Sequence, residues 1–131
     1  MKIFGIGTDI VNIKRIEKTI KKKGIFFKKK IFSKREIKYC EGKVNPFPFY
    51  AKRFAAKEAL SKALGTGISN GVSFKDIEIY NDNFGKPFIK LSGPTANFIK
   101  RKIKSKKYSI FLSLSDDLPW AQATVIISLN K

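Results

Sequence analysis

The stretch Arg53 to Gly67, RFAAKEALSKALGTG, decides how this chain is read. Residues that favour helix run without a break from Arg53 to Leu64, and Gly65-Thr66-Gly67 ends the run in a glycine turn. The predicted helix spans Phe49 to Leu64, with Tyr50, Phe54, Ala51 and Ala55 supplying its apolar stripe. It carries a single acid, Glu58, and Arg53, Lys57 and Lys62 lie within about two turns of it. Two readings fit this helix. In one, cations hold phosphates while the acid holds a metal between them. In the other, it is an ordinary solvated face with a favourable Glu58–Lys62 pair.

Working outward, the N-terminal segment alternates, with Phe4, Ile6, Thr8 and Ile10 on one side and Ile3, Gly5, Gly7 and Asp9 on the other. That is the period of a strand. Its glycine side lacks bulk, so another backbone or a ligand can approach closely there, and Asp9 ends the smooth track. A helix follows from about Asn12, a good N-cap, to Lys23, and Gly24 stops it. Ile25 to Phe32 is an aromatic and basic piece. Ser33 and Glu36 have capping-box spacing and open a helix to Glu41. Gly42 to Pro48 reads as a connector.

Beyond the central helix, Phe74 to Tyr80 and Pro87 to Leu91 read as a hairpin around the turn Asn81 to Lys86. Gly93-Pro94 opens a helix to about Lys104. The strands Tyr108 to Ser115 and Trp120 to Leu129 flank a loop, Asp116 to Pro119. Strand, helices, hairpin, helix, hairpin is the order of an α+β fold with an antiparallel sheet. The expectation is one domain over residues 1–131.

Composition narrows the function. An apolar content of 43% and twelve Phe describe a folded protein, not a disordered basic tail. No apolar run is long enough for a membrane span, and Asp9 comes too soon for a signal-peptide core. One cysteine, Cys40, excludes an internal disulfide and fits a reducing cytoplasm. The absence of His excludes an imidazole base, a Ser-His triad and a His-ligated zinc. The net charge of +18 attracts polyanions, but only four of its 28 cations are Arg. Base readout leans on Arg forks, whereas Lys21-Lys22-Lys23 and Lys28-Lys29-Lys30 are point charges on flexible stems.

Most of the ten acids have plain explanations: Glu17, Glu36 and Glu41 sit among lysines on helices as surface pairs do, and Asp82 sits in a turn. Asp9 and Glu58 stand apart, since each lies near an apolar face. If the first strand packs on the central helix, the two carboxylates converge, and two hard oxygen ligands with open positions suit Mg²⁺. Asp9 as a helix N-cap and Glu58 as a surface partner of Lys62 are the plain alternatives. Gly65-Thr66-Gly67 can present N–H groups to an anion or simply cap the helix.

Four segments in order resemble the small holo-[acyl-carrier-protein] synthases, a family of 4′-phosphopantetheinyl transferases. They are GIGTDIVNIKRIE (Gly5 to Glu17), RFAAKEALSKALGTG (Arg53 to Gly67), IEIYNDNFGKPFI (Ile77 to Ile89) and LSLSDDLPWAQATVII (Leu112 to Ile127). The resemblance implies the family's fold, an antiparallel sheet packed against a long helix. It implies transfer of the 4′-phosphopantetheine arm of coenzyme A to a serine of apo acyl carrier protein, releasing 3′,5′-ADP, in support of fatty acid biosynthesis. Asp9 and Glu58 would hold Mg²⁺ on the pyrophosphate and act as the catalytic pair. Arg53, Ser61, Lys62, Gly65, Thr66, Lys86 and Pro87 would contact coenzyme A.

The resemblance further implies a homotrimer with sites between subunits, working without membrane or nucleic acid. The acidic carrier would dock on the first helix, with Arg15 at the motif position and Lys14, Lys18, Lys22 and Lys28 nearby. One departure is Asp116, which stands where many members have His, so no role of that His carries over. An acid near coenzyme phosphates needs a cation, a water or a backbone N–H beside it. The alternative is a small basic nucleic-acid-binding module, favoured by charge and interleaved aromatics such as Phe26-Phe27 and Phe47, Phe49, Tyr50. Poverty in Arg and the lack of a nucleic-acid signature stand against it.

Overall fold

A computed structural model describes residues 2–69, 71–104 and 107–130. The order is β1 (Lys2–Asn12), α1 (Ile13–Lys23), α2 (Ile25–Ile31), α3 (Lys34–Glu41), α4 (Phe47–Leu64), a 3-10 turn (Phe74–Asp76), β2 (Ile77–Asn81), β3 (Pro87–Leu91), α5 (Gly93–Ile103), β4 (Tyr108–Asp117) and β5 (Trp120–Leu129). The main sheet runs β1-β5-β4, and β2-β3 form a separate hairpin. All pairings are antiparallel. The α+β class expected from the sequence is observed.

Four boundaries move, the first in the hairpin, where Phe74–Asp76 form a 3-10 turn and the strand expected over Phe74 to Tyr80 runs from Ile77 to Asn81. Ile25 to Ile31 is helical rather than an irregular piece. Helix α4 opens at Phe47, two residues before the expected Phe49, because Pro48 suits a first turn whose N–H needs no partner. Strand β4 continues through Asp117, so the expected loop shrinks to Leu118-Pro119. The capping expectations hold. Asn12 Oδ1 accepts from the Lys14 N–H at 2.9 Å. Ser33 and Glu36 form a reciprocal capping box.

The glycine side of β1 lies directly on α4. A Cβ on Gly5 would strike the Ala63 carbonyl, and one on Gly7 the Ala59 carbonyl. Across the junction, α4 presents Ala55, Ala59 and Ala63, one residue per turn and all buried. Small residues on both sides let two backbones meet, and register puts Val125, Ile127, Leu112 and Leu114 on the same inner face. Here Gly7→Ala should cost about 1–3 kcal/mol through overpacking. Urea unfolding checks this, and an unchanged midpoint would mean the strand is not seated on the helix.

Helix α4 is buried on nearly every side, and even Lys57 is 0% exposed. Its ammonium donates to Glu36 Oε1 at 2.7 Å, to the Ile31 carbonyl at 2.7 Å and to the Phe74 carbonyl at 3.1 Å. Glu36 also accepts from the Ser33 and Ile79 N–H groups. The reading of Glu36 as a surface acid among lysines is therefore wrong: it is a buried charge fully enclosed by donors, as buried charges must be. Lys57, counted from spacing among the cations around Glu58, points the other way.

A second core gathers Ile13, Ile16, Ile20, Phe32, Cys40 and Tyr50 under α1 and α2. Burial pushes the Cys40 thiol up to about 12, so it stays neutral.

Candidate active site

Seating β1 on α4 carries Asp9 to the side of that helix. Lys62 Nζ donates to Asp9 Oδ1 at 2.9 Å and to the Thr8 carbonyl at 3.0 Å. Glu58, one turn earlier on α4, lines the same cavity as Asp9. Burial first, and the Asp9 charge second, raise the Glu58 carboxyl above its ordinary value, while Lys62 pulls the other way. Two carboxylates close enough to feel one another, beside a lysine, make a place that welcomes a cation. Of the two readings open at the level of spacing, this geometry removes the plain one for Asp9, since Asn12 is the N-cap.

The cavity holds about 300 Å³ and is also lined by Val11, Asn12, Arg15, Ile16, Thr19, Phe27 and Phe54. Its lining combines the charged Asp9, Glu58 and Arg15 with the apolar Ile16, Phe27 and Phe54, a mixture that suits a ligand with an ionic end and a neutral arm. Sequence reading missed Phe27, Phe54, Ile16 and Thr19 as site residues. Ile13, Ile16 and Ile20 recur at helical spacing and form the buried stripe of α1, but nothing local says that stripe ends at a cavity.

Other expected coenzyme contacts lie elsewhere in the chain. Ser61 is fully buried, and its Oγ donates to the Glu58 carbonyl at 2.6 Å. The Gly65 N–H donates to Lys62 O, and the Thr66 and Gly67 N–H groups both donate to Ser61 O. Gly65 has φ 79°, so this turn is a helix cap in this conformation rather than an open anion nest. Lys86 and Pro87 leave the hairpin turn at the start of β3, and neither lines the cavity. Arg53 is only 2% exposed and bonded to Asn81.

On α1, Lys14, Arg15, Lys18 and Lys22 are exposed, and Arg15 reaches the cavity rim. Lys28 is instead paired with Glu41 at 3.2 Å. Asp116 has the cation it needs: Lys52 Nζ stands 3.0 Å from its Oδ1.

The profile of the 4′-phosphopantetheinyl transferase superfamily matches residues 5–122. A holo-[acyl-carrier-protein] synthase of Pelagibacter ubique is 43% identical over 127 residues, covering 97% of this chain and 98% of the relative. The crystal structure of the Neisseria meningitidis holo-[acyl-carrier-protein] synthase superposes with a TM-score of 0.84 at 40% identity, over 96% of this chain and 98% of that one. The Helicobacter pylori enzyme in complex with coenzyme A gives 0.80 at 37% identity, over 94% and 99%. With a glycine-faced strand seated on a buried helix, two carboxylates at one cavity and these matches over nearly its whole length, this chain belongs to the holo-[acyl-carrier-protein] synthases of the 4′-phosphopantetheinyl transferase superfamily.

Proposed function

We propose that the protein moves the 4′-phosphopantetheine arm of coenzyme A onto a serine hydroxyl of an apo acyl carrier protein, with Mg²⁺, yielding the holo carrier used in fatty acid synthesis. The observation that carries this reading is the joint placement of Asp9 and Glu58 at one cavity that also holds apolar side chains, with the Lys62 ammonium bonded to Asp9. The serine oxygen forms a bond to the phosphorus that bears the pantetheine. The bond from that phosphorus to the bridging oxygen breaks, and 3′,5′-ADP leaves with the electron pair.

The donor set fits Mg²⁺. Asp9 and Glu58 line one cavity and feel each other's charge, so they offer two carboxylates and leave other positions to water and phosphate, as this ion prefers. Asp9 already carries a cation, the Lys62 ammonium. Asp9 and Glu58 would hold the ion, which when bound supplies Lewis-acid stabilisation of charge on the pyrophosphate. Lys62 is half exposed on a flexible stem and can turn from Asp9 to a phosphate oxygen. Phe27, Phe54 and Ile16 offer the apolar wall for the pantetheine arm and keep water from the reacting phosphorus. Glu58, its carboxyl raised in proton affinity by burial and the Asp9 charge, would assist removal of the serine proton.

The carrier would meet the exposed face of α1. Arg15, at the cavity rim, is the cation best placed to guide an acidic partner toward the coenzyme, with Lys14, Lys18 and Lys22 widening the field.

The outward side of the main sheet supports a homotrimer. Ile6 is 65% and Ile10 61% exposed, and Phe111 and Trp120 join them, as does Ile3, which a register break between Ile3 and Gly5 moves off the glycine side expected of it while Phe4 packs on the core. Between them Gln122 links Ser115, Thr8 and Thr124 through their hydroxyls. An apolar sheet face with its polar centre already satisfied fits burial against copies of itself. Lys86 and Pro87, which stand off their own chain's cavity, would then serve a neighbour's coenzyme.

The test incubates the protein with coenzyme A, Mg²⁺ and apo acyl carrier protein and weighs the carrier by mass spectrometry. A gain of one phosphopantetheine that disappears with chelator is expected. No gain, together with salt-sensitive RNA binding, would replace this reading with the nucleic-acid module.

A further inference from the structure

The family resemblance makes Arg53 a coenzyme contact, yet the side chain has almost no surface to offer. Its guanidinium lies over the Tyr39 ring, 4.2 Å from the centroid, and Tyr39 packs edge-on against Phe49. Its Nη2 donates to Asn81 Oδ1 at 2.6 Å, and Nε has no acceptor among the described residues. Asn81 closes β2, and its Nδ2 donates in turn to the Gly85 carbonyl at 2.9 Å. Gly85 holds the left-handed turn (φ 85°) from which Lys86 and Pro87 emerge. Inside that turn the Asp82 carboxylate accepts from the Phe84 and Lys86 N–H groups.

We propose that Arg53 is a positioning residue: a strut from α4 that acts through Asn81 to hold the Gly85-Lys86-Pro87 turn in the geometry that grips coenzyme A. The inference rests on the transferase reading given above. The physical need is plain. A two-stranded hairpin separate from the main sheet is marginal by itself, and its tip is where a loop would open first. Asp82 braces the turn only against itself. The Arg53–Asn81–Gly85 chain ties it to the most buried helix of the protein with a charge-assisted bond. Preorganising a binding turn lowers the ordering cost of the ligand and leaves the chemical step alone.

The test uses Arg53→Met, Asn81→Leu and the double variant, in the full chain. Exchanging both partners for apolar groups of similar shape leaves no buried polar atom stranded at that contact, so the double variant keeps the fold even where Asn81→Leu alone suffers. Its thermal midpoint is measured alongside. Each foldable single variant and the double should raise KM for coenzyme A by about tenfold, with kcat and the KM for carrier little changed. The double should lose no more than the worse single. The loss should be the same with 3′-dephospho-coenzyme A, because the strut touches no phosphate. Multiplying losses, a loss confined to the 3′-phosphorylated donor, or a folded double variant with wild-type KM for coenzyme A would each overturn the strut. Failure of the wild-type protein to modify a carrier at all would instead overturn the transferase reading, so the two failures are separable.

Discussion

Glu58→Gln should abolish carrier modification, lowering turnover by about a thousandfold or more, while leaving the protein folded. Losing one of two carboxylates weakens the hold on a Lewis acid that supplies several kcal/mol to the reaction, and each 1.36 kcal/mol is a factor of ten. The substitution keeps shape and removes charge, so it isolates charge as the cause. Stability should move the other way. Burial and the Asp9 charge raise the Glu58 carboxyl in the folded protein. A raised carboxyl contributes stability below the ordinary carboxylate value and loses that contribution as pH rises through its folded value. At neutral pH and without metal, ionised Glu58 is therefore a burden, and the Gln variant should melt no lower than wild type. Mass spectrometry of the carrier and thermal melts in chelator measure the two halves. Near-normal turnover would remove Glu58 from the reaction; a large drop in melting temperature would make it a structural residue.

Lys57→Met should cost about 3–5 kcal/mol of folding stability, the largest stability effect expected of any single change here. Burial lowers the affinity of the Lys57 amine for its proton, and Glu36 restores part of it. Removing the amine strands the Glu36 carboxylate at 1% exposure, along with the Ile31 carbonyl. Changing both partners, Lys57→Met with Glu36→Leu, should recover much of the loss, because an apolar pair of similar volume carries no desolvation cost. The Ser33 and Ile79 N–H groups would then lack their acceptor and the Ile31 and Phe74 carbonyls their donor, which is why the recovery is not complete. Urea unfolding of the two single variants and the pair gives the coupling directly. A loss below about 1 kcal/mol would be the value of an exposed pair and would contradict the enclosure of this one.

Much of the architecture follows from patterns that are local in the chain. Period-two alternation marks β1, the capping box marks α3, and Gly93-Pro94 marks the start of α5, because each depends on residues within one or two turns of one another. The use of the glycine track is legible in the same way. A strand face without Cβ atoms and a helix rich in alanine are made for close approach, and Gly7 against Ala59 is that approach.

Charge was the poorer guide. Lys57 and Glu58 are neighbours in sequence and look alike as members of one polar cluster. Adjacent helical residues point about 100° apart, so one enters the core and the other lines the cavity. Glu36 and Glu17 both sit among lysines, yet one is buried between Lys57 of α4 and the Ile79 N–H of β2 and the other pairs with Lys21 on the surface. Which acid is buried depends on what packs over it, and Lys57 and Ile79, which close over Glu36, come from distant parts of the chain. Arg53 shows the same limit: its sequence position suggests a phosphate contact, and only packing puts Tyr39 and Asn81 around it.

The sequence by itself therefore determined most of the elements and the family, because these are carried by short-range periodicity and by motifs in order. The tertiary structure decided which side of α4 each charge faces, what the Gly65 turn does with its N–H groups, and how the hairpin is braced. Those depend on contacts between segments far apart in sequence, which no local pattern encodes.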